Sequence, residues 1–336
     1  MNDFLKGILD GINSVLSNYG WSIMVFTLLI RMILLPFDYR SRSSMRKTAA
    51  LQPKMAALQK KYAKDQQKLN QKMSELYRQE GVSPLSGCLP LLLSYPILIA
   101  MFGAMRAIAN EQVVQQVLTM LTTNELPKFE GWLWIRNIWM PDSPFASSLP
   151  DFNTIRAVPA DIWLKFINAD VISTLPSTLN QLTVDSFSGS NLQATIQEIY
   201  NVLSTLSVYQ QGTAIASGWT FNLLITTFSI MQNFNGLFLL PLFSALSQFL
   251  LTKMTPQQPQ AQANPNDQAA ATGKFMQWFF PIFSLWICSS YNGAFALYWV
   301  TSNLIAMAQT YIINKILDKK DAEKNQHPVS VEGTIK

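Results

Sequence analysis

Several apolar stretches in this sequence are long enough to cross a membrane. Residues 21–35 and 89–104 are two examples, and 49% of the chain is hydrophobic while only 13% is charged. A soluble helical protein would need a very large core to bury several such stretches, so a lipid bilayer is the simpler solvent. We therefore predict an all-α integral membrane protein, with a soluble all-helical protein as the alternative.

The apolar stretches predict five transmembrane helices. We assign these spans to residues 20–37, 88–106, 237–254, 275–290 and 294–314. Asn292 and Gly293 form a turn between the last two spans, which therefore make a tight pair. Residues 1–19 have apolar side chains at helical spacing with polar ones between them, a pattern typical of an amphipathic helix on the membrane surface. Residues 255–274 read as a linker, and the Lys-rich tail, residues 315–336, is expected to be disordered.

The segment between the first two spans, residues 38–87, is strongly basic. It contains eleven Lys and Arg residues against four Asp and Glu residues. Its apolar residues follow a narrow heptad-like stripe, and Pro53 is suited to begin a helix after a shorter one that ends near Leu51. These features predict a helical hairpin. The hairpin is a surface that recruits other molecules by its charge, a solvated coiled coil, or both.

The segment between the second and third spans, residues 107–236, is acidic. Four Lys and Arg residues oppose nine Asp and Glu residues. Its tryptophans and its clusters of Pro, Ser, Thr and Asn predict a small, mostly helical domain or a set of interfacial helices. Within it, residues 221–231 are apolar but too few to span a bilayer, so we interpret them as an interfacial or packed helix.

The charge asymmetry orients the chain, because Lys and Arg near the ends of spans favour the cytoplasmic side. The basic hairpin is therefore expected in the cytoplasm and the acidic insert outside. Five spans then place the N-terminus outside and the C-terminus in the cytoplasm, in agreement with the Lys-rich tail.

Arg31 lies inside the apolar run formed by residues 23–36. A guanidinium near the centre of a bilayer costs about 2.5–3.5 kcal/mol on insertion scales, so something must compensate for it. One reading is that the side chain snorkels to the inner surface and only anchors the helix. The other is that it faces a hydrated cavity inside the bundle, where it attracts an anion such as an acidic segment of another chain.

Polar and small side chains of the later spans share helix faces. The sets are Ser244, Ser247, Gln248 and Thr252 in the third span, Gln277, Pro281, Ser284 and Cys288 in the fourth, and Trp299, Ser302, Ala306 and Gln309 in the fifth. Each set is explained either by packing between helices or by lining a polar groove. Together with Arg31 they favour a groove.

Residues for covalent or metal chemistry are scarce. The only histidine, His327, lies in the polar tail, and the two cysteines, Cys88 and Cys288, are expected to be unpaired thiols near opposite faces of the membrane. We therefore expect no cofactor, no metal site and no enzyme activity.

Several segments together resemble the YidC/Oxa/Alb family of membrane protein insertases. They are NYGWSIMVFTLLIRMILLPF, GCLPLLLSYPILIAMF, GWLWIRNIWMPDSPF, FLLPLFSALSQFL and GAFALYWVTSNLIAMAQTYIINK. The resemblance implies five helices around a hydrophilic groove that opens to the cytoplasm and lipid, in a bacterial cell membrane. The family's groove arginine falls on Arg31, and positions where clients are thought to slide fall on Gln248 and Trp299.

The resemblance also implies partners. Nascent membrane proteins would be the clients, the protein would act as a monomer, and the ribosome and the Sec translocon are further candidates. Client chains, ribosomes or anionic lipids would be recruited by basic residues of the hairpin. These are Arg40, Arg42, Arg46, Lys47, Lys60, Lys61 and Lys64. A transporter or channel for a small anion, with Arg31 as its binding charge, is the alternative function.

One departure from the family pattern is large. The family passes from the WIRNIWMPD-like segment to the third span within a few residues, whereas here residues 146–232 intervene. This insert is a folded cap, a partner-binding surface or a spacer.

Overall fold

The computed structural model describes residues 2–63, 65–81, 89–223, 226–254 and 268–326. This part of the chain is mostly helical, as predicted. The first five helices are α1 (Asn2–Leu16), α2 (Tyr19–Ala50), α3 (Gln52–Lys61), α4 (Gln66–Gln79) and α5 (Leu89–Thr123). The insert forms α6 (Phe152–Arg156), α7 (Ala160–Phe166), α8 (Ala169–Ser173), α9 (Leu192–Leu203) and α10 (Ser207–Gly212), with 3-10 turns at Ser177–Leu179, Val184–Phe187 and Gly189–Asn191. It ends in strands β1 (Ile215–Leu223) and β2 (Thr226–Met231), and α11 (Leu239–Met254), α12 (Gln268–Ser290) and α13 (Gly293–Gln326) follow.

The chain divides into two compact units. The first unit comprises Met1–Thr27, Ile97–Leu246 and Ile282–Thr301. The second comprises Leu28–Pro96, Ser247–Pro281 and Ser302–Lys336.

By length and apolar composition, two helices within the described residues are suited to cross a membrane. They are α2 and the part of α5 from Pro96 to Thr123, while α11 is a shorter apolar helix. Pro36 and Pro96 lie inside these two helices without ending them.

Helix α5 continues well beyond residue 106, where the sequence suggested that the second span ends. The apolar run stops there, but Val113, Val117 and Met120 recur at helical spacing and are buried against the insert. The polar residues between them therefore mark the end of the apolar span and not the end of the helix.

The prediction of a disordered tail from residue 315 is wrong as far as residue 326. Helix α13 extends to Gln326. Leu317 is buried, and Asp318 and Asp321 pair with Arg46 of α2. These contacts between distant segments hold the polar turns of α13 in a helix, and residues 327–336, which include His327, lie outside the described residues.

Helices α3 and α4 pack against each other in the basic segment. Leu51, Met55 and Leu76 form their small buried cluster. Pro53 lies in the first turn of α3, where its missing N–H costs nothing, and the side chain of Asp65 accepts the backbone N–H of Lys68 at 3.0 Å to cap α4. The short apolar stripe in this sequence is thus the packing seam of a two-helix hairpin.

The insert is a folded domain whose core also includes residues from the C-terminal part of α5. Trp163, Phe187, Ile196 and Ile199 are fully buried in this core. Side-chain caps stabilise the first turns of its short helices. At the start of α6, for example, the side chain of Asp151 accepts a hydrogen bond from the backbone N–H of Thr154 at 2.8 Å. The core is mostly aliphatic, with Trp163, Phe187 and Tyr209 as its buried aromatic residues.

The interpretation of residues 221–231 as an interfacial or packed helix is wrong. These residues belong to an antiparallel β-hairpin in which Phe221 faces Phe228 and Asn222 faces Thr227. β-branched and aromatic residues are enriched in the two strands and favour extended backbone, and this preference outweighs the short apolar run.

Candidate functional site

Arg31 points from α2 to α13 within the second unit. Its Nε and Nη2 atoms donate hydrogen bonds to the Ser302 hydroxyl at 3.1 and 2.6 Å. The side-chain amide of Gln309 donates to the backbone carbonyl of Arg31 at 2.9 Å. The structure therefore brings together Arg31, Ser302 and Gln309, three of the residues that the sequence singled out. Of the latter two, Ser302 hydrogen-bonds to the guanidinium, and its hydroxyl is uncharged.

A carboxylate that the sequence interpretation overlooked lies on the same face of α2. Asp38 follows Arg31 by seven residues and precedes Arg42 by four, and both spacings return to one side of a helix. Asp38 interacts electrostatically with both arginines. The helical spacing of Asp38 from Arg31 could have identified it in the sequence as a neighbour of Arg31. Asp38 was instead counted with the basic hairpin, because it lies one residue past the predicted end of the span.

Two of the proposed recruitment residues are engaged inside the protein. Arg42 donates to the Thr310 hydroxyl at 2.6 Å, and Arg46 pairs with Asp318 at 2.7 Å and Asp321 at 3.3 Å. Both side chains join α2 to α13, which gives them a structural role in addition to their charge.

The other proposed recruitment residues are more open to solvent. The side chains of Arg40, Lys47, Lys60 and Lys61 are exposed. Lys64 lies outside the described residues. An exposed basic surface therefore remains on the last turns of α2 and at the end of α3.

The polar face of α11 meets different neighbours along its length. In the first unit, Ser244 is buried and donates to the backbone carbonyl of Ser284 on α12 at 3.1 Å. Cys288, a buried free thiol, also hydrogen-bonds with Ser244. These contacts are the helix packing that the sequence left open as the alternative to a groove.

Within the second unit, the same face of α11 contacts α13. The Asn303 side chain donates to the Ser247 hydroxyl at 3.1 Å. Gln248 and Gln277 are half-buried, so part of each amide-bearing side chain is accessible. Thr252 donates to the backbone carbonyl of Gln248 at 2.8 Å, which satisfies its hydroxyl within α11.

Trp299 belongs to the first unit. Its ring packs against Phe295 with the centroids 5.6 Å apart, and its buried Nε1 has no hydrogen-bond partner within the described part of the chain. A buried indole N–H normally finds an acceptor, so the absence of one within the described residues sets this position apart.

Comparison with known proteins places the chain in a family. The model of the 60Kd inner membrane protein family matches residues 11–234 and 193–321. A membrane protein insertase YidC of Campylobacter jejuni is 45% identical over 94 residues, which cover 28% of this chain and 18% of that protein. One of Fusobacterium nucleatum is 43% identical over 107 residues, 32% of this chain and 52% of that protein.

A third relative extends the similarity over most of the chain. A membrane protein insertase YidC of Prosthecochloris aestuarii is 26% identical over 314 residues, which cover 94% of this chain and 36% of that protein. The chain thus spans about a fifth to a half of the length of these relatives. Because the family model covers nearly the whole sequence, the chain belongs to the 60Kd inner membrane protein family, the YidC/Oxa1 family.

Proposed function

We propose that this chain is a membrane protein insertase of the bacterial inner membrane and that Arg31 is the charge that receives its clients. The relatives named above carry that function in their names. The observation that carries the proposal is the environment of Arg31, whose guanidinium is held on α13 by the hydroxyl of Ser302. A hydroxyl orients the cation without neutralising it.

The proposed arrangement in the membrane has five spans, formed by α2, α5, α11, α12 and α13. The basic hairpin and the end of α13 lie in the cytoplasm, and α1 and the insert lie outside. The distribution of Lys and Arg supports this orientation, with eleven in the hairpin segment and four in the much longer insert segment.

The energetics of Arg31 favour a hydrated groove. A guanidinium inside an apolar span costs about 2.5–3.5 kcal/mol, and one neutral hydrogen-bonding group returns about 1 kcal/mol. The electrostatic interaction with Asp38 and water around the guanidinium are proposed to supply the remainder. The proposed groove in the second unit is lined by Arg31, Ser247, Gln248, Gln277, Ser302 and Gln309.

Insertion in this scheme has no covalent step. The short hydrophilic segment of a client enters the groove, where Arg31 attracts its carboxylates and the polar side chains replace part of its lost hydration. Its apolar helix passes along α11 and α13 into lipid, touching Gln248 and Trp299. Ser244 and Ser284 would support this path as the packed contact between α11 and α12.

The experiment is complementation with Arg31 variants. The host protein is depleted, Arg31→Ala or Arg31→Lys is supplied, and insertion of single-span clients with acidic external segments is followed by protease protection. Loss with Ala and rescue with Lys are expected, because a positive charge suffices to attract a carboxylate. Normal insertion of every client by Arg31→Ala would remove the electrostatic role.

Crosslinking tests the client path independently. A photoreactive residue at Gln248 or Trp299 is expected to capture nascent chains, whereas one at Leu250, on the exposed side of α11, serves as the control. Equal capture from all three positions would contradict a defined path.

A further inference from the structure

The β1–β2 hairpin has one apolar and one polar face. Residues that oppose each other across an antiparallel pair share a face, and neighbours along a strand alternate. Phe221 faces Phe228, and Trp219 lies against Phe221 with ring centroids 6.4 Å apart. The opposite face carries the polar pairs of Thr220 with Ser229 and Asn222 with Thr227.

The apolar face is open. Trp219 is 57% exposed, Phe221 50% and Phe228 36%. Phe145 touches Phe228, with ring centroids 5.3 Å apart, but is itself exposed. An isolated two-stranded hairpin is only marginally stable in water, so this amphipathic hairpin needs a surface against its apolar face.

The sequence around the hairpin lacks charge. No Asp, Glu, Lys, Arg or His occurs from residue 199 to residue 252. Aromatic patches without charge occur both in the cores of protein–protein interfaces and at the membrane–water interface. The membrane is favoured here because the surrounding sequence is also free of charge and an apolar helix follows closely in the chain.

The hairpin also lies close along the chain to a helix that the proposed arrangement places in the membrane. Only residues 232–238 separate β2 from α11, an apolar helix whose first residues, as far as Leu246, lie in the same unit. Seven residues span at most about 25 Å even when fully extended. The hairpin therefore remains within reach of the membrane surface from which α11 starts.

We propose that the β1–β2 hairpin is a lipid-binding device of the insert, with Trp219, Phe221 and Phe228 immersed in the membrane–water interface. The polar pairs on its other face remain in water or among headgroups. The hairpin thereby fastens the insert domain to the bilayer. This inference stands apart from insertase activity, because it needs only that the chain resides in a membrane.

Site-directed fluorescence in vesicles tests the proposal. Cys88→Ala and Cys288→Ala remove the native thiols from the full chain, and single cysteines carry an environment-sensitive fluorophore. The probed positions are Phe221→Cys and Phe228→Cys on the apolar face, and Thr220→Cys and Thr227→Cys on the polar face. Leu242→Cys, on the exposed side of α11, reports lipid contact independently of the hairpin.

Each labelled protein is reconstituted into phosphatidylcholine and phosphatidylglycerol vesicles and exposed to nitroxide-labelled lipid or aqueous iodide. We expect lipid quenching at positions 221 and 228 to exceed that at 220 and 227 at least about twofold, as for a face immersed about 5–10 Å. Iodide should show the reverse order.

Two outcomes would overturn the proposal. Iodide quenching at all four hairpin positions would place the hairpin in water, and protection of positions 221 and 228 from both quenchers would show that protein covers them. If position 242 also escaped lipid quenching, the membrane placement of α11 would fail instead of the hairpin assignment.

A hairpin-free variant separates lipid contact from misfolding. The backbone N–H of Gln232 donates to the carbonyl of Ala214 at 2.8 Å, so Asn-Gly can replace Ile215–Met231 with little strain. This variant should fold and keep lipid quenching at position 242. It should also expose the insert to aqueous protease, which intact hairpin anchoring is expected to slow.

Discussion

The carboxylate of Asp142 accepts the backbone N–H of Leu240 at 2.7 Å, across 98 residues of chain. Its other oxygen accepts the N–H of Phe238 at 3.1 Å, so Asp142 caps the N-terminus of α11. The entry and exit of the insert also meet, because the N–H of Asn235 donates to the carbonyl of Ala146 at 2.8 Å. The first and last residues of the insert are therefore adjacent in the fold. This arrangement keeps Asp142 in contact with the start of α11 despite the residues inserted between them.

Asp142→Ala is expected to lower the free energy of unfolding by about 2–4 kcal/mol, because a buried anion that caps two helix N–H groups is lost. Asp142→Asn should lose about half as much. Thermal unfolding in detergent, followed by light scattering or tryptophan emission, measures both effects.

Gly236→Ala provides a matched test from the opposite side of the cap. A Cβ atom at position 236 would collide with the Asp142 carboxylate, so the substitution should destabilise α11 without altering any charge. Gly11→Ala is the control, because position 11, like position 236, lies outside the positive-φ region and a Cβ there meets open space, so this substitution should not lower stability. Wild-type stability of Gly236→Ala would contradict the capping role.

Glu111 joins three segments of the first unit. It accepts hydrogen bonds from Lys6 of α1 at 2.7 Å and from Lys165 of α7 at 3.0 Å. Burial raises the pKa of Glu111, but the hydrogen bonds and charges of the two lysines outweigh burial and hold the pKa below the usual value of 4.5. The charged form is therefore favoured in the folded state.

This pKa shift predicts pH-dependent stability. A carboxylate with a lowered pKa stabilises the fold above its unfolded pKa of about 4.5, and the contribution is lost as the pH falls through the folded value. Glu111→Gln should cost about 1 kcal/mol at neutral pH and nothing at low pH. Melting temperatures from about pH 7 to pH 3 test this; a gap that stayed constant would exclude linkage to Glu111.

The sequence predicted features that depend on local pattern. The helices and the hairpin packing seam follow from periodicity, and Pro53 marks the start of α3. The β-hairpin was missed because residues 221–231 present a short apolar run, and such runs do not distinguish a strand from a helix by period alone. The contact of Phe221 with Phe228 across the turn decides the matter only in the folded chain.

Other features depend on pairs that are far apart in sequence. The helical end of α13 relies on Arg46, and the partner of Arg31 is Ser302, 271 residues later. The sequence placed Ser302 on a polar face of its own helix and Arg31 inside another helix. No local pattern indicates that these two residues meet. The family resemblance suggested a role for Arg31, and the structure supplies its hydrogen-bond partner.

The basic residues of the hairpin segment should separate into two classes. Lys60 and Lys61 are exposed, so their reversal to Glu should weaken binding to anionic vesicles, most clearly at low salt, without changing stability. Binding of the purified chain in nanodiscs to such vesicles, measured at low and high salt, tests this.

Arg46→Ala is the matched control for that experiment. The carboxylates of Asp318 and Asp321, with which Arg46 pairs, are largely exposed to solvent. The substitution should therefore lower the free energy of unfolding by about 0–1 kcal/mol. Vesicle binding should fall less than for Lys60→Ala, which removes the same single charge from an exposed position. If the Arg46 variant lost more binding than the lysine variant, recruitment would depend on the contact between α2 and α13.

Ser302→Asp tests whether the free charge of Arg31 is what clients use. A carboxylate at position 302 would lie beside the guanidinium, whose Nη2 is 2.6 Å from the present hydroxyl, and would neutralise it while Arg31 itself remains. Insertion of clients with acidic external segments should then fall about as far as in Arg31→Ala, while clients with neutral segments are spared. Ser302→Ala leaves the guanidinium charged but removes the hydroxyl that orients it, so insertion should fall less than with Ser302→Asp and by a similar factor for both kinds of client. Equal insertion of the acidic clients by Ser302→Asp and Ser302→Ala would show that the added carboxylate, and so the net charge at Arg31, does not decide insertion.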